Sequence, residues 1–105
     1  MPTPRIAEKD LLSHAEMALF TLSHDSRALA QRSPAQLRDK IARARDLRDR
    51  AQDLYHRQVG ETRAATGHKR GYTGQANERT RQKGEVLKGV VQRLSEARAL
   101  QLAAT

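Results

Sequence analysis

The chain has 105 residues, no cysteine, and a formal net charge of +8 from 20 Lys and Arg against 12 Asp and Glu. Its length suits one domain, and the lack of cysteine excludes disulfide and zinc-thiolate staples. Leu, Ile, Val and Phe number only 19, with no Trp and two Tyr, about 18 % strong apolar residues where highly charged chains below ~20 % tend to stay disordered. The expected core is therefore thin, and self-association, most simply as a dimer, is the expected way to bury more surface.

The N-terminal stretch Met1 to Asp10 lacks the uninterrupted apolar run of a secretion signal, and no segment approaches the ~20 apolar residues that span a bilayer. A cytoplasmic location without membrane association is the expectation. Thr3-Pro4 is a cap-capable residue before a first-turn proline, and Glu8 and Asp10 suit the positive end of a helix dipole. A helix over about 4–22 follows, with Ile6, Leu11, Leu12, Ala15, Ala18, Leu19 and Leu22 at three- and four-residue steps and Met17 and Phe20 widening the stripe. Ser23-His24-Asp25-Ser26 then breaks the pattern with side chains that bond to backbone, and a short helical stretch is expected around Arg27 to Gln31.

The clearest helix start is Ser33-Pro34-Ala35-Gln36, where Ser33 caps, Pro34 is preset for the first turn and Gln36 stands at the capping-box position. From Leu37 three seven-residue blocks follow, starting at Leu37, Ala44 and Ala51, each with Asp third and Arg seventh. Asp39 with Arg43, Asp46 with Arg50 and Asp53 with Arg57 are i, i+4 pairs in the acid-first order, each adding about 0.3 to 0.5 kcal/mol to an exposed helix. The other side of the repeat carries Leu37, Ile41, Ala44, Leu47, Ala51, Leu54 and Tyr55, close to the spacing of a coiled-coil seam. Its alternate alanine layers admit a neighbouring helix at short range and bury little area, so the face reads as a helix interface. The helix is expected over about 34–66, with Gly60 either ending it early or tolerated inside it.

Residues 67–74 hold three glycines in eight positions with His68, Lys69 and Arg70 and read as a basic loop. A last helix over about 76–103 uses Ala76, Thr80, Leu87, Val90, Val91, Leu94 and Ala97 as its seam. Gly84 and Gly89 inside it mark either a close crossing or a weakened helix. The expected fold class is all-α: an antiparallel, coiled-coil-like hairpin of two long helices with a shorter N-terminal helix packed on it, a three-helix bundle.

Catalytic motifs do not assemble from these residues. The 67–74 loop lacks phosphate-loop spacing, because Lys69 precedes its second glycine and the segment follows a helix rather than a strand. Ser23-His24-Asp25 are neighbours in sequence, whereas a triad is assembled in space. Asp10 with His14 and Asp53 with His56 are pairs without a third metal ligand. Neither cofactor nor metal, nor a small-molecule substrate, is expected.

Charge is more informative. Residues 1–33 are neutral, 34–66 carry +3 and 67–105 carry +5, and Lys69, Arg70, Arg79, Arg81 and Lys83 concentrate the excess in a loop and a helix start, as a phosphate-contacting surface would. The same cluster also reads as a solvated helix face beside a loop. Two functions follow from the sequence. The first is a non-enzymatic interaction or oligomerisation module whose candidate interface is Leu37, Ile41, Ala44, Leu47, Ala51, Leu54, Leu87, Val91 and Leu94. The second is a nucleic-acid-associated protein bound through phosphates by Lys69, Arg70, Arg79, Arg81 and Lys83.

Overall fold

The structure, a computed structural model, describes the backbone of residues 5–66 and 74–104 and the side chains of residues 5–61 and 77–104. Among these, every regular element is an α-helix: α1 (Glu8–Leu11), α2 (His14–Ser23), α3 (Ser26–Ala30), α4 (Pro34–Thr66) and α5 (Gly74–Ala104). α4 and α5 are the two arms of a hairpin 56 Å long and 21 Å across, which matches the ~50 Å expected of a 33-residue helix. The all-α helical hairpin is thus the fold of the protein.

The expected N-terminal helix over 4–22 is two helices, and its first residues to Pro4 lie outside the described residues. Leu12 is extended, at φ −98° and ψ 144°, because Ser13 begins a new helix with a complete capping box. The Ser13 hydroxyl accepts from the Glu16 backbone N–H at 3.3 Å, and the Glu16 carboxylate accepts from the Ser13 N–H at 2.8 Å. The break rotates the apolar stripe, so that Ala15 and Ala18 are exposed while Leu11, Leu12, Leu19 and Leu22 are buried. α3 begins at Ser26, one residue before the expected stretch, because the Asp25 carboxylate accepts from the Ala28 N–H at 3.0 Å.

α4 starts where the sequence places it. Ser33 and Gln36 make the reciprocal cap bonds at 3.1 and 2.8 Å, and the helix continues through Gly60. α5 begins at Gly74, two residues earlier than expected, which takes Gly74 out of the expected 67–74 loop; residues 67–73 of that loop lie outside the described residues.

One apolar cluster holds the elements together. Leu37, Leu87, Val90 and Leu94 are fully buried, with Ile41, Ala44, Leu47, Ala51 and Val91 around them and Leu11, Leu12, Leu19, Leu22 and Leu29 closing the third side. The seam that the heptads leave on α4 is therefore met by α5 of the same chain. Gly84 is buried, and a Cβ placed there would make ordinary contact, 3.7 Å from Gln52 Cγ and 3.9 Å from Ala51 Cβ, so Gly84 faces Ala51 across the two arms with room for a methyl group.

The N-terminal helices run parallel to α5. Contacts climb both stretches together: the Ile6 N–H donates to Gln82 at 2.7 Å, Lys83 pairs with Glu16 at 2.9 Å, Arg93 bonds Ser23 at 3.1 Å, and Gln101 donates to the Leu29 carbonyl at 2.8 Å. α1 to α3 thus cover the hairpin from about Arg79 to its open end, where Arg98 donates to the Pro34 carbonyl at 3.1 Å.

Candidate functional site

Two grooves flank the third layer. The first lies where α4 and α5 leave the cover of α2, and Leu47, Ala51 and Leu54 line it together with Arg79, Thr80 and Lys83. Of the nine expected interface residues, Leu37, Ile41, Ala44, Leu47, Ala51, Leu87, Val91 and Leu94 are buried within the chain. Leu54 is the exception at 40 % exposed, which corrects its expected place inside the seam. The antiparallel register that sets Gly84 against Ala51 puts Leu54 beside Thr80, a small polar residue that cannot cover it.

The expected polyanion cluster is not a free surface. The Arg79 guanidinium donates to the Asp10 carbonyl. Arg81 forks onto Glu78, its Nε 3.1 Å from each carboxylate oxygen, which holds the Glu78 carboxyl below its ordinary value. Lys83 pairs with Glu16, whose side chain is buried. Burial pushes the Glu16 carboxyl up, but the Ser13 backbone N–H, the Lys83 ammonium and the Ser13 hydroxyl outweigh it and hold the group below its ordinary value. Lys69 and Arg70 lie outside the described residues. Two of these contacts were out of reach of sequence reading because of their range, since Arg79 to Asp10 and Lys83 to Glu16 join residues more than sixty positions apart; the Arg81 to Glu78 pair is local, at i, i+3, and a charge count overlooks it.

Along α4 the expected ladder is rearranged. Asp46 pairs with Arg50 at 3.0 Å, the expected i, i+4 pair, and also with Arg43 at 3.6 Å; Asp39 instead meets its neighbour Arg38 at 3.5 Å. All of these are exposed, so each contributes tenths of a kcal/mol.

The second groove, of about 610 Å³, opens between α1, α2 and α5. Ile6, Leu11, Phe20 and Val86 give it an apolar floor, and Arg5, Glu8, His24, Arg81, Glu85 and Arg93 ring it. The Phe20 ring meets His24 edge-on, with centroids 4.8 Å apart, and carries the Arg93 guanidinium 5.8 Å from its centroid on the other contact. Sequence reading did not find this groove, because its walls come from three helices, Phe20 reads as part of the α2 stripe, and nothing near Arg93 in sequence singles it out.

Among the described residues no three His, Asp or Glu side chains converge as a metal-ligand set, and no helix is long and apolar enough to cross a membrane. Comparison with protein-family models, with curated proteins and with solved structures finds no match to this chain.

Proposed function

We propose that the protein is a non-enzymatic helical interaction module that associates through the part of the hairpin beyond its N-terminal cover. The observation that carries this reading is Leu54: a large apolar side chain, 40 % exposed, in an open groove whose other apolar members, Leu47 and Ala51, belong to the core. Such a groove continues the seam outward and offers a second helix the same alternation of Leu and Ala that α5 uses inside the chain. The thin apolar composition points the same way, since a second copy adds burial that 19 strong apolar residues supply sparingly.

Phosphate binding by the C-terminal cluster is the weaker reading. Its support is the net charge of +8, while Arg79, Arg81 and Lys83 already serve Asp10, Glu78 and Glu16.

Sedimentation across about 1 to 100 μM tests the reading, because an interface of this kind responds to concentration by mass action. The wild type is expected to run as a dimer at the upper end, and Leu54→Asp as a monomer with unchanged helix content. A wild-type monomer throughout overturns it.

A further inference from the structure

One arginine in the groove between α1, α2 and α5 is held in place without a counter-charge. Arg93 donates through Nε to the Ser23 hydroxyl at 3.1 Å, and that hydroxyl gives its own proton to the Phe20 carbonyl at 2.7 Å. Ser23 is buried, so the relay that orients Nε is sheltered from water. The Phe20 ring supports one side of the guanidinium. Gly89 lies against the fork as well: a Cβ there would be 3.0 Å from Nη1 and 3.8 Å from Nη2, so a larger residue makes the guanidinium give by a few tenths of an ångström. With Nε engaged, the two Nη groups remain as a pair of donors, and no carboxylate of the described residues pairs with them.

The surroundings define what such a fork would take. Arg5 is matched by Glu8 at 2.7 Å and Arg81 by Glu78, which leaves Arg93 as the arginine of the groove without a partner. Arg5, Arg81 and Arg93 are balanced by Glu8, Glu85 and the Glu78 that holds Arg81, so the groove has no surplus charge to hold a dianion, and the two rim carboxylates repel one at close range. A single negative charge is the complement. The floor of Ile6, Leu11, Phe20 and Val86 has no use for a small hydrated ion and rewards a hydrocarbon body. The volume of about 610 Å³ falls in the range of roughly 300 to 1,000 Å³ of small-molecule sites.

We propose that this groove binds a small monocarboxylic acid with an apolar body, its carboxylate on the Nη pair of Arg93 and its hydrocarbon part over Phe20 and Val86. The proposal is one of binding alone. It shares no lining residue with the Leu54 groove, so the sedimentation result does not decide it. It goes beyond the sequence, which gave no reason to expect a small ligand.

Titration calorimetry of the full chain with 4-phenylbutyrate and octanoate, each against its uncharged amide and against inorganic phosphate, tests the proposal. Both acids are expected to saturate in the millimolar range or tighter and to bind at least ~10-fold more tightly than their amides, as a charge-assisted fork onto a carboxylate implies. Phosphate is expected not to compete at equal concentration. In Arg93→Gln the preference for acid over amide should vanish while amide binding persists, which also reports that the groove is intact. Gly89→Ala should weaken the acids several-fold and leave the amides nearly unchanged. The acid-to-amide comparison uses the wild type alone, so it stands even where a variant fails to fold. Equal affinity for acid and amide, no heat from either acid at ~10 mM, or phosphate competing as well as the acids overturns the proposal.

Discussion

The hairpin contains two stretches written in the same heptad code. Ala44 with Leu47 and Ala51 with Leu54 occupy equivalent positions, yet Leu47 is 9 % exposed and Leu54 is 40 % exposed. What differs is the facing helix. Opposite the first stretch α5 presents Leu87, Val90, Val91 and Leu94, and α2 covers the remaining side with Leu19 and Leu22. Toward the other end α5 presents Gly84, Thr80 and Asn77, and among the described residues α1 reaches only to Arg79. A repeat fixes which side of a helix turns inward, whereas burial is settled by what lies across from it.

Truncation at the two stretches should give the largest contrast. Leu87→Ala or Leu37→Ala removes a fully buried side chain and is expected to cost about 2 to 5 kcal/mol, transfer and cavity together. Leu54→Ala should cost less than about 1 kcal/mol in dilute protein, because much of its surface is already in water. Urea unfolding of the three variants at two protein concentrations sharpens the comparison. If Leu54→Ala becomes costly only in concentrated protein, a second copy supplies the missing cover; if it is costly even when dilute, the groove is closed within the chain.

What was legible in the sequence follows the same division. Local signals were sound: Ser33-Pro34 starts α4 because its cap bonds join residues three apart, and the Leu37 to Ala51 seam follows from helical periodicity alone. The capping box of Ser13 and Glu16 was equally local, but Leu11 and Leu12 continued the stripe across it and concealed the break. Long-range pairing was not legible. Nothing within reach of Lys83 in sequence names Glu16, and Arg93 becomes distinctive only when Ser23, Phe20 and Gly89 are brought around it. A charge count offers Arg79, Arg81 and Lys83 to a polyanion because it contains no information about which acidic group or carbonyl folds back onto them.

The Glu16 to Lys83 pair is the next test, since it ties the N-terminal layer to α5 near the boundary between the two stretches. Glu16 is 6 % exposed and lies 2.9 Å from the ammonium. Lys83→Met leaves that carboxylate without its charge partner and should cost roughly 1 to 3 kcal/mol, reduced from the fully buried case because Lys83 remains partly in water. Glu16 titrates below its ordinary value of 4.5 in the folded protein, so the unfolded chain binds the proton first as pH falls. The stabilisation is therefore complete above the ordinary value and is lost as pH drops through the folded one. Thermal melts between about pH 6 and pH 3 should show this slope in the wild type and a shallower one in Glu16→Gln; identical slopes would remove Glu16 from the acid response.

The smallest expected effect lies on the outer face of α4, where the covered stretch is held from inside and the ladder of charges contributes little. Asp46 forms ion pairs with both Arg43 and Arg50 and its side chain is 48 % exposed. Two exposed helix pairs of about 0.3 to 0.5 kcal/mol each set an upper limit near 1 kcal/mol for Asp46→Ala, part of which is offset by the better helix propensity of alanine. The residue lies beside Ala44 and Leu47, whose burial does not depend on it, so helix content should be unchanged. Surface attraction of this kind is screened over a Debye length of about 10 Å at 0.1 M salt and about 3 Å at 1 M, and the difference between wild type and Asp46→Ala should shrink accordingly in chemical unfolding with urea. A loss that persists at 1 M salt has another origin than the ion pairs, and would place Asp46 against a surface that excludes water, such as a second copy packed along the outer face of α4.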